Sequence, residues 1–334
     1  MRVAVVWNDD YGAVINRFGQ PCPKEERREK VDSVAAALRK GGHEALLCEG
    51  DKGLLTSLER LMPPGPQARP SGFVFNLAYG IQGECRLTHV PAMLEMAGVP
   101  YTGSSPVGHG LALDKVLTKR LLRDAGVPTP HFRVMRTGTE SIGDLRFPMV
   151  VKPRHEFGSF GLELVYQPAQ LRQAVEVIAT QYSQDALVEE YIDGREVTSA
   201  LLGNGQLEIL PLVEYDFGGA ETHLLTREAP PRRICPAPVG SKLKAVLQDI
   251  SVAAFRACQC RDYARVDFRI DRSGQPFVLE INSMPVLGTS SAYVLAAATG
   301  GHSFSSLVNR ILNAAHTRYF GIGIAEADQA SSPT

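Results

Sequence analysis

Three oxygen-bearing residues near the end of the chain, with an arginine on the same face, have the types and spacing to hold a metal ion. Arg265 and Asp267 alternate with Val266 and Phe268, and after the turn Asp271-Arg272-Ser273-Gly274, Glu280 and Asn282 alternate with Leu279 and Ile281. Residues two apart in a strand share a face, so a hairpin here gathers Arg265, Asp267, Glu280 and Asn282 on one surface and the apolar residues on the other. Facing Ile270 with Gln275 across the turn sets Phe268 against Phe277 and Arg265 against Glu280, so the pattern agrees on both strands. Two carboxylates and an amide suit Mg²⁺, which keeps part of its water shell and completes its octahedron with phosphate oxygens. The patch reads as a nucleotide-metal site. The same alternation also describes the solvated outer face of an antiparallel sheet.

A second group of residues favours the first reading. Val150-Val151-Lys152-Pro153 ends a buried strand in a lysine, and Glu156-Phe157-Gly158-Ser159-Phe160-Gly161 is a glycine-containing loop whose N–H groups could wrap phosphate oxygens. Lys115 adds a cation. Leu187 to Ile192 could form a hinge strand bearing a nucleobase, and Glu196 could accept from ribose hydroxyls. Other nucleotide and hydrolase signatures are missing: there is no Gly-Lys-Ser/Thr, no spaced glycines after the first strand, no His-Glu-x-x-His and no Gly-x-Ser-x-Gly.

These residues need elements to position them. Arg2 to Trp7, His43 to Cys48 and Gly72 to Leu77 read as strands separated by helical stretches at Lys24 to Lys40 and Leu54 to Leu61, a β/α alternation that implies a parallel sheet. A single helix is expected from about Leu111 to Ala125. Beyond it, strands at 147–152 and 162–166, a helix at 169–182, and a hairpin turned by Gly203-Asn204-Gly205 describe a smaller α+β lobe leading into an antiparallel sheet. Helices at 241–258 and 303–319 complete the pattern.

Composition limits the partners. The 334 residues carry 35 Lys and Arg against 36 Asp and Glu, so no global field favours nucleic acid and any phosphate site must be local. The longest apolar runs, such as Ala292 to Ala298, fall far short of the roughly 20 residues of a membrane span. Met1-Arg2 is followed by only five apolar residues, too few for a signal-peptide core, and the reading is a soluble cytoplasmic protein. Cys258 and Cys260 lack zinc-site partners and read as core thiols.

Taken in order, the motifs resemble the D-alanine–D-alanine ligases of the ATP-grasp superfamily. The resemblance runs from about Val74 to Leu312 and rests on Pro100-Tyr101-Thr102-Gly103-Ser104, Leu113-Asp114-Lys115 with Thr118-Lys119, Val150-Val151-Lys152-Pro153, Val188-Glu189-Glu190-Tyr191, Arg265-Val266-Asp267, and Leu279-Glu280-Ile281-Asn282 with Pro285. It implies a three-lobed ATP-grasp fold mixing α/β and α+β: an N-terminal parallel-sheet lobe at 1–110, a small central lobe at 111–184 and an antiparallel-sheet lobe at 185–320; the tail at 321–334, rich in alanine, serine and glycine, is expected to be mobile from its composition. The resemblance implies an ATP-dependent carboxylate–amine ligase working through an acyl phosphate. ATP would be bound by Lys115, Lys152, Ser159, Glu189, Tyr191, Ile192 and Glu196. Asp267, Glu280 and Asn282 would hold magnesium, two ions, with manganese as an alternative metal. Arg265 would stabilise the acyl phosphate and the oxyanion, and Ser291 would hold the second amino acid's carboxylate. The partners are small carboxylates and amines, amino acids among them, and the resemblance allows a homodimer.

The departures lie on the substrate side. Asn8-Asp9-Asp10-Tyr11-Gly12 stands where the family carries a glutamate-bearing segment for the first amino acid, which makes Asp9 and Asp10 candidate substrate contacts. Tyr79 replaces the family histidine, Val286 replaces the glycine after the proline of Asn-x-x-Pro-Gly, and the closing loop, placed at about Glu214 to Leu225, keeps Tyr215-Asp216-Phe217 but lacks the Lys-Tyr pair that follows. Three readings of the activity stay open: the D-alanyl-D-alanine reaction, a ligase for other amino acids or a natural-product acid, and a nucleotide-binding regulator without catalysis.

Overall fold

The fold was analysed in a computed structural model, which describes residues 1–8, 15, 28–65, 71–219, 224 and 231–324. The first sheet is built from β1 (Arg2–Trp7), β2 (Glu44–Glu49) and β3 (Gly72–Asn76), all parallel in the order β2-β1-β3. β1 is buried from Val3 to Trp7 and β3 from Phe73 to Asn76, the continuous burial expected of parallel strands covered on both faces. The intervening helices are α1 (Arg28–Lys40) and α2 (Leu54–Leu61), and α3 (His89–Met96) follows β3.

The expected helix over 111–125 is two helices, α4 (Pro106–Leu113) and α5 (Lys115–Asp124), broken at Asp114. Asp114 has an extended backbone (φ −77°, ψ 97°), and its carboxylate accepts from the N–H groups of Val116 and Leu117, capping α5. The break has a consequence for the site: it makes Lys115 the first residue of α5 and sends its chain inward, where it is buried.

The middle sheet is antiparallel, in the order β4-β7-β5-β6, from β4 (Phe132–Met135), β5 (Met149–Pro153), β6 (Glu163–Val165) and β7 (Ala186–Glu190). β4 has no counterpart in the sequence reading, because its four residues, Phe132-Arg133-Val134-Met135, are too few to display a period. α6 (Pro168–Val177) runs into a π-helical turn at Ile178–Tyr182 and covers one face.

The third sheet is also antiparallel. It contains β8 (Gly194–Leu202), β9 (Glu208–Ile209), β10 (Val213–Asp216), β11 (Arg232–Ile234), β12 (Tyr263–Asp271) and β13 (Pro276–Asn282), in the order β11-β10-β8-β12-β13 with β9 also on β8. α7 (Ser241–Ala257) backs this sheet, and α8 (Ala292–Thr299) and α9 (Phe304–Phe320) follow it. Leu307 and Ile311 of α9 share one apolar core with Val34 and Leu38 of α1, so the two ends of the chain are packed together. Cys258 and Cys260 are buried free thiols in the core under α7, as expected.

The last hairpin corrects the expected register. Ile270 faces Pro276 and Phe268 faces Val278; then a bulge opposite the Asp267–Phe268 step shifts the pairing, so that Asp267 faces Glu280, Val266 faces Ile281 and Arg265 faces Asn282. A strict two-residue alternation along β13 fails because the bulge inserts one extra residue, Leu279, and reverses the parity. Val278 and Ile281, three apart, both enter the core, while Leu279 turns toward the cavity described below. The shift sets the two carboxylates directly opposite one another. Positions 325–334 of the tail expected to be mobile, and 220–223 and 225 of the expected closing loop, lie outside the described residues.

Candidate active site

A cavity opens between the middle sheet and the third sheet, with Tyr79 and Leu87 of the first lobe at one end. Lys115, Lys152, Ser159, Glu189, Tyr191, Ile192, Glu196, Arg265, Asp267, Glu280, Asn282 and Tyr79 all line it. Segments separated by 203 residues of sequence, from Tyr79 to Asn282, therefore converge on one space.

The lysines form its most connected part. Lys152 is the next-to-last residue of β5, and its Nζ lies 2.5 Å from Glu189 Oε1 on the neighbouring β7. Lys119, one turn beyond Lys115 on α5, lies 2.7 Å from Glu189 Oε2 and donates to Thr129 Oγ1 at 2.8 Å. Burial would raise the Glu189 carboxyl, but the two lysines outweigh it and hold the group below its usual range. Burial likewise opposes the charge on Lys152, yet Glu189 and Glu280 carry it above its ordinary value. Lys119 goes the other way, to about 8, because burial wins over its pairing with Glu189. Lys115 is also lowered by burial; its Nζ donates to the Glu156 carbonyl and stands 4.0 Å from Glu280 Oε2.

The metal candidates face the lysines. Arg265 grips Asp267 through two hydrogen bonds of 2.8 and 2.7 Å. Asn282 Nδ2 donates to Asp267 Oδ2 at 3.0 Å and to Glu280 Oε1 at 3.3 Å, which ties the three side chains into one patch. Burial would raise Glu280, but Lys115, Lys152 and Arg265 hold it below the usual carboxylate range, so it is available as an anion. Among the described residues no group of three His, Cys, Asp or Glu forms a self-sufficient metal site. Two carboxylates and one amide facing two lysines instead fit an ion that takes its remaining ligands from phosphates and water.

The phosphate-loop candidate is latched on both sides. Glu156 is ion-paired with Arg86, both almost wholly buried, at 2.7 Å, and its other oxygen accepts from Gln184 at 3.0 Å. Ser159 has φ +59° and Gly161 has φ +65°; a Cβ on Gly161 would lie 2.7 Å from Pro153, so the close approach of the loop to β5 requires glycine. Phe157 stacks on Tyr79 at 5.0 Å and lies under the Arg86 guanidinium at 4.9 Å. Tyr79 is in turn held by the anchoring of Gly80, whose N–H donates to Asn8 Oδ1 at 2.9 Å.

At the opposite end, Glu196 on β8 sits 3.3 Å from Arg269 on β12. Burial, reinforced by Asp267 and Glu280 and opposed by Arg269, pushes the Glu196 carboxyl up to about 8. Of the remaining sequence candidates, Ser291 caps α8 by accepting from the Val294 N–H and is not among the residues lining the cavity. Asp9 and Asp10 lie outside the described residues.

The sequence reading assigned no role to Arg86, Lys119 or Arg269. Lys119 was accessible to it, since residues four apart share a helix face and Lys115 was already a candidate. Arg86 and Arg269 reach the site by folding, with no local signal beyond their charge.

Comparison with known proteins agrees with this architecture. Residues 121–313 match the family described as D-ala D-ala ligase C-terminus. The D-alanine–D-alanine ligase of Carboxydothermus hydrogenoformans is 31% identical over 84% of this chain and 90% of that protein. A protein of Sinorhizobium fredii described as uncharacterized protein y4sG is 68% identical over 97% of this chain and 99% of its own length. In structure, the D-alanine–D-alanine ligase of Bacillus anthracis complexed with ATP superposes with a TM-score of 0.76 at 23% identity, covering 95% of this chain and 98% of that one, which establishes the ATP-grasp fold. Among the described residues no helix is long and apolar enough to cross a membrane. With a family match over more than half its length and a relative above 30% identity across 84% of it, the chain belongs to the D-alanine–D-alanine ligase family.

Proposed function

We propose that this ATP-dependent ligase joins the carboxylate of one amino acid to the amine of another, with the D-alanyl-D-alanine reaction as its reference chemistry and the substrate contacts altered in this chain. The observation that carries the proposal is the convergence of Lys115, Lys152, Arg265, Asp267, Glu280 and Asn282 on one cavity, with the Lys152 ammonium and the Glu280 carboxylate each shifted toward the charged form by its neighbours. A regulator that had lost catalysis would have no use for that complete set.

Each group then has a task. Lys115 and Lys152 face the nucleotide phosphates, and the loop carrying Ser159 covers them. Glu189 and the strand end at Tyr191 and Ile192 face the base, and Glu196 the ribose. Asp267, Glu280 and Asn282 would hold magnesium, which supplies Lewis-acid neutralisation of phosphate charge when bound. A carboxylate is a poor electrophile, and its phosphorylation provides a leaving group; Arg265, half-buried beside Asp267, would stabilise the acyl phosphate and then the oxyanion made as the amine attacks. The stacked Tyr79 and Phe157, with Val286, wall the acid end in apolar surface and keep water from the activated acid.

The test is a pooled reaction of D- and L-amino acids with Mg-ATP, read by ADP release and by mass spectrometry of the products. A dipeptide or amide mass accompanied by stoichiometric ADP supports the proposal and names both substrates. If ATP binds and no coupled product forms from any pool of acids and amines, the ligase reading of this chain is wrong.

A further inference from the structure

We propose that Arg269 is a positioning residue for nucleotide recognition: it holds Glu196 toward the sugar and thereby makes the site selective for ribonucleotides over deoxyribonucleotides. The inference rests on the reading of Glu196 as the ribose acceptor and goes beyond it by naming the group on which that acceptor depends.

Arg269 stands directly opposite Glu196 across the β12–β8 ladder. The residue is 2% exposed. Nε lies 3.3 Å from Glu196 Oε2, and Nη1 donates to the Gly194 carbonyl at 3.0 Å. The Tyr191 ring lies 5.4 Å from its Cζ and the Phe217 ring 5.6 Å. It therefore ties together the end of the hinge strand, the start of β8 and the segment just after β10. Arg269, Glu196 and Tyr191 all line the cavity.

Packing alone does not account for an arginine here. Its Nη2 is buried without a hydrogen-bond partner, and a buried donor left unpaired is destabilising. An apolar residue of similar volume commonly replaces such a buried pair at no loss of stability. What an apolar residue could not do is hold the Glu196 carboxyl group in one orientation. Two adjacent ribose hydroxyls pair well only with a carboxyl group whose oxygens are fixed, and a guanidinium held beside two rings and a carbonyl supplies that fixed point. Lysine would bring the charge without the planar fork or the ring contacts.

The experiment measures equilibrium binding of ATP, 2′-deoxy-ATP and 3′-deoxy-ATP by calorimetry to the full chain and to its Arg269→Met, Arg269→Lys and Glu196→Gln variants, with thermal unfolding of each as a fold control. In the unaltered protein, ATP is expected to bind at least about tenfold more tightly than either deoxynucleotide, the scale of leaving one buried hydrogen-bonding group unpaired. Arg269→Met and Arg269→Lys should each weaken ATP about tenfold while leaving the deoxynucleotides within about threefold, so the ratio collapses toward one. Glu196→Gln should collapse the same ratio with Arg269 in place. A parallel loss of all three nucleotides in both Arg269 variants, or an unaltered protein that does not discriminate, overturns the proposal. If Arg269→Met fails to fold, Arg269→Lys decides by the same ratio. Because the readout is binding, a chain that discriminates nucleotides but couples no amino acids would refute the ligase reading and leave this inference standing.

Discussion

Glu280 answers three cations: Lys115, Lys152 and Arg265 together hold its carboxyl below the ordinary range. Glu280→Gln keeps the size and loses the charge, so ADP formation in the coupled assay should fall by at least about a hundredfold, the scale of removing one electrostatic contact to developing charge. A variant retaining more than half the original rate would remove Glu280 from the metal set. His109, on α4 and fully buried, poses a different residue-scale question. Its Nδ1 meets Ser283 Oγ at 2.8 Å, beside Asn282, and burial lowers its pKa to about 4 from 6.5. Between those values the unfolded chain binds a proton that the folded chain refuses, so stability rises with pH through that window. The contribution is complete above pH 6.5 and is lost as pH falls toward 4, amounting to about 3 kcal/mol. His109→Gln should flatten this acid limb in urea unfolding measured at pH 4.5 and 7; an unchanged difference would mean that His109 is protonated in the fold.

At the scale of elements, the break between α4 and α5 does most to build the site. Asp114 caps α5 and also takes the Arg154 guanidinium at 2.9 and 2.6 Å, and the Lys115 N–H donates to the Arg154 carbonyl. One carboxylate thus joins the helix that starts at Lys115 to the end of the strand that carries Lys152. Asp114→Ala removes the cap and one side of a part-buried ion pair; stability should fall by about 2 kcal/mol and the KM for ATP should rise about tenfold as Lys115 loses its fixed position. Steady-state kinetics with a urea titration checks both. The sequence reading joined these helices because the apolar residues around Asp114 continue a helical pattern, and a cap in mid-pattern is visible only in backbone dihedrals. The bulge in β13 escaped for the same kind of reason. Alternation of Phe277, Leu279 and Ile281 favours a regular strand locally, whereas the core selects Val278 and Ile281.

At the scale of the molecule, α9 returns to the first lobe and fastens it. Arg318 pairs with Asp262 at 2.8 Å and donates to the Tyr101 carbonyl at 2.9 Å, while Asp262 also accepts from the Gly103 N–H and from Asn204. Asp262 is fully buried, so Arg318→Met strands its charge. Unfolding free energy should drop by about 3 kcal/mol, with the KM for ATP changed less than about threefold because none of these groups lines the cavity; a large change in KM at full stability would contradict this division. The residue types that carry the chemistry, their order along the chain and the parallel-then-antiparallel class of the sheets were all determined by the sequence, because motifs and hydrophobic period are local properties. Only the tertiary structure decided that Glu189 sits between Lys119 and Lys152, that Arg86 latches the glycine-containing loop at Glu156, that Arg269 stands behind Glu196, and that Asp267 faces Glu280 across a bulge. These relations join residues far apart in the chain, and burial, which sets their charges, does not exist until the lobes close on one another.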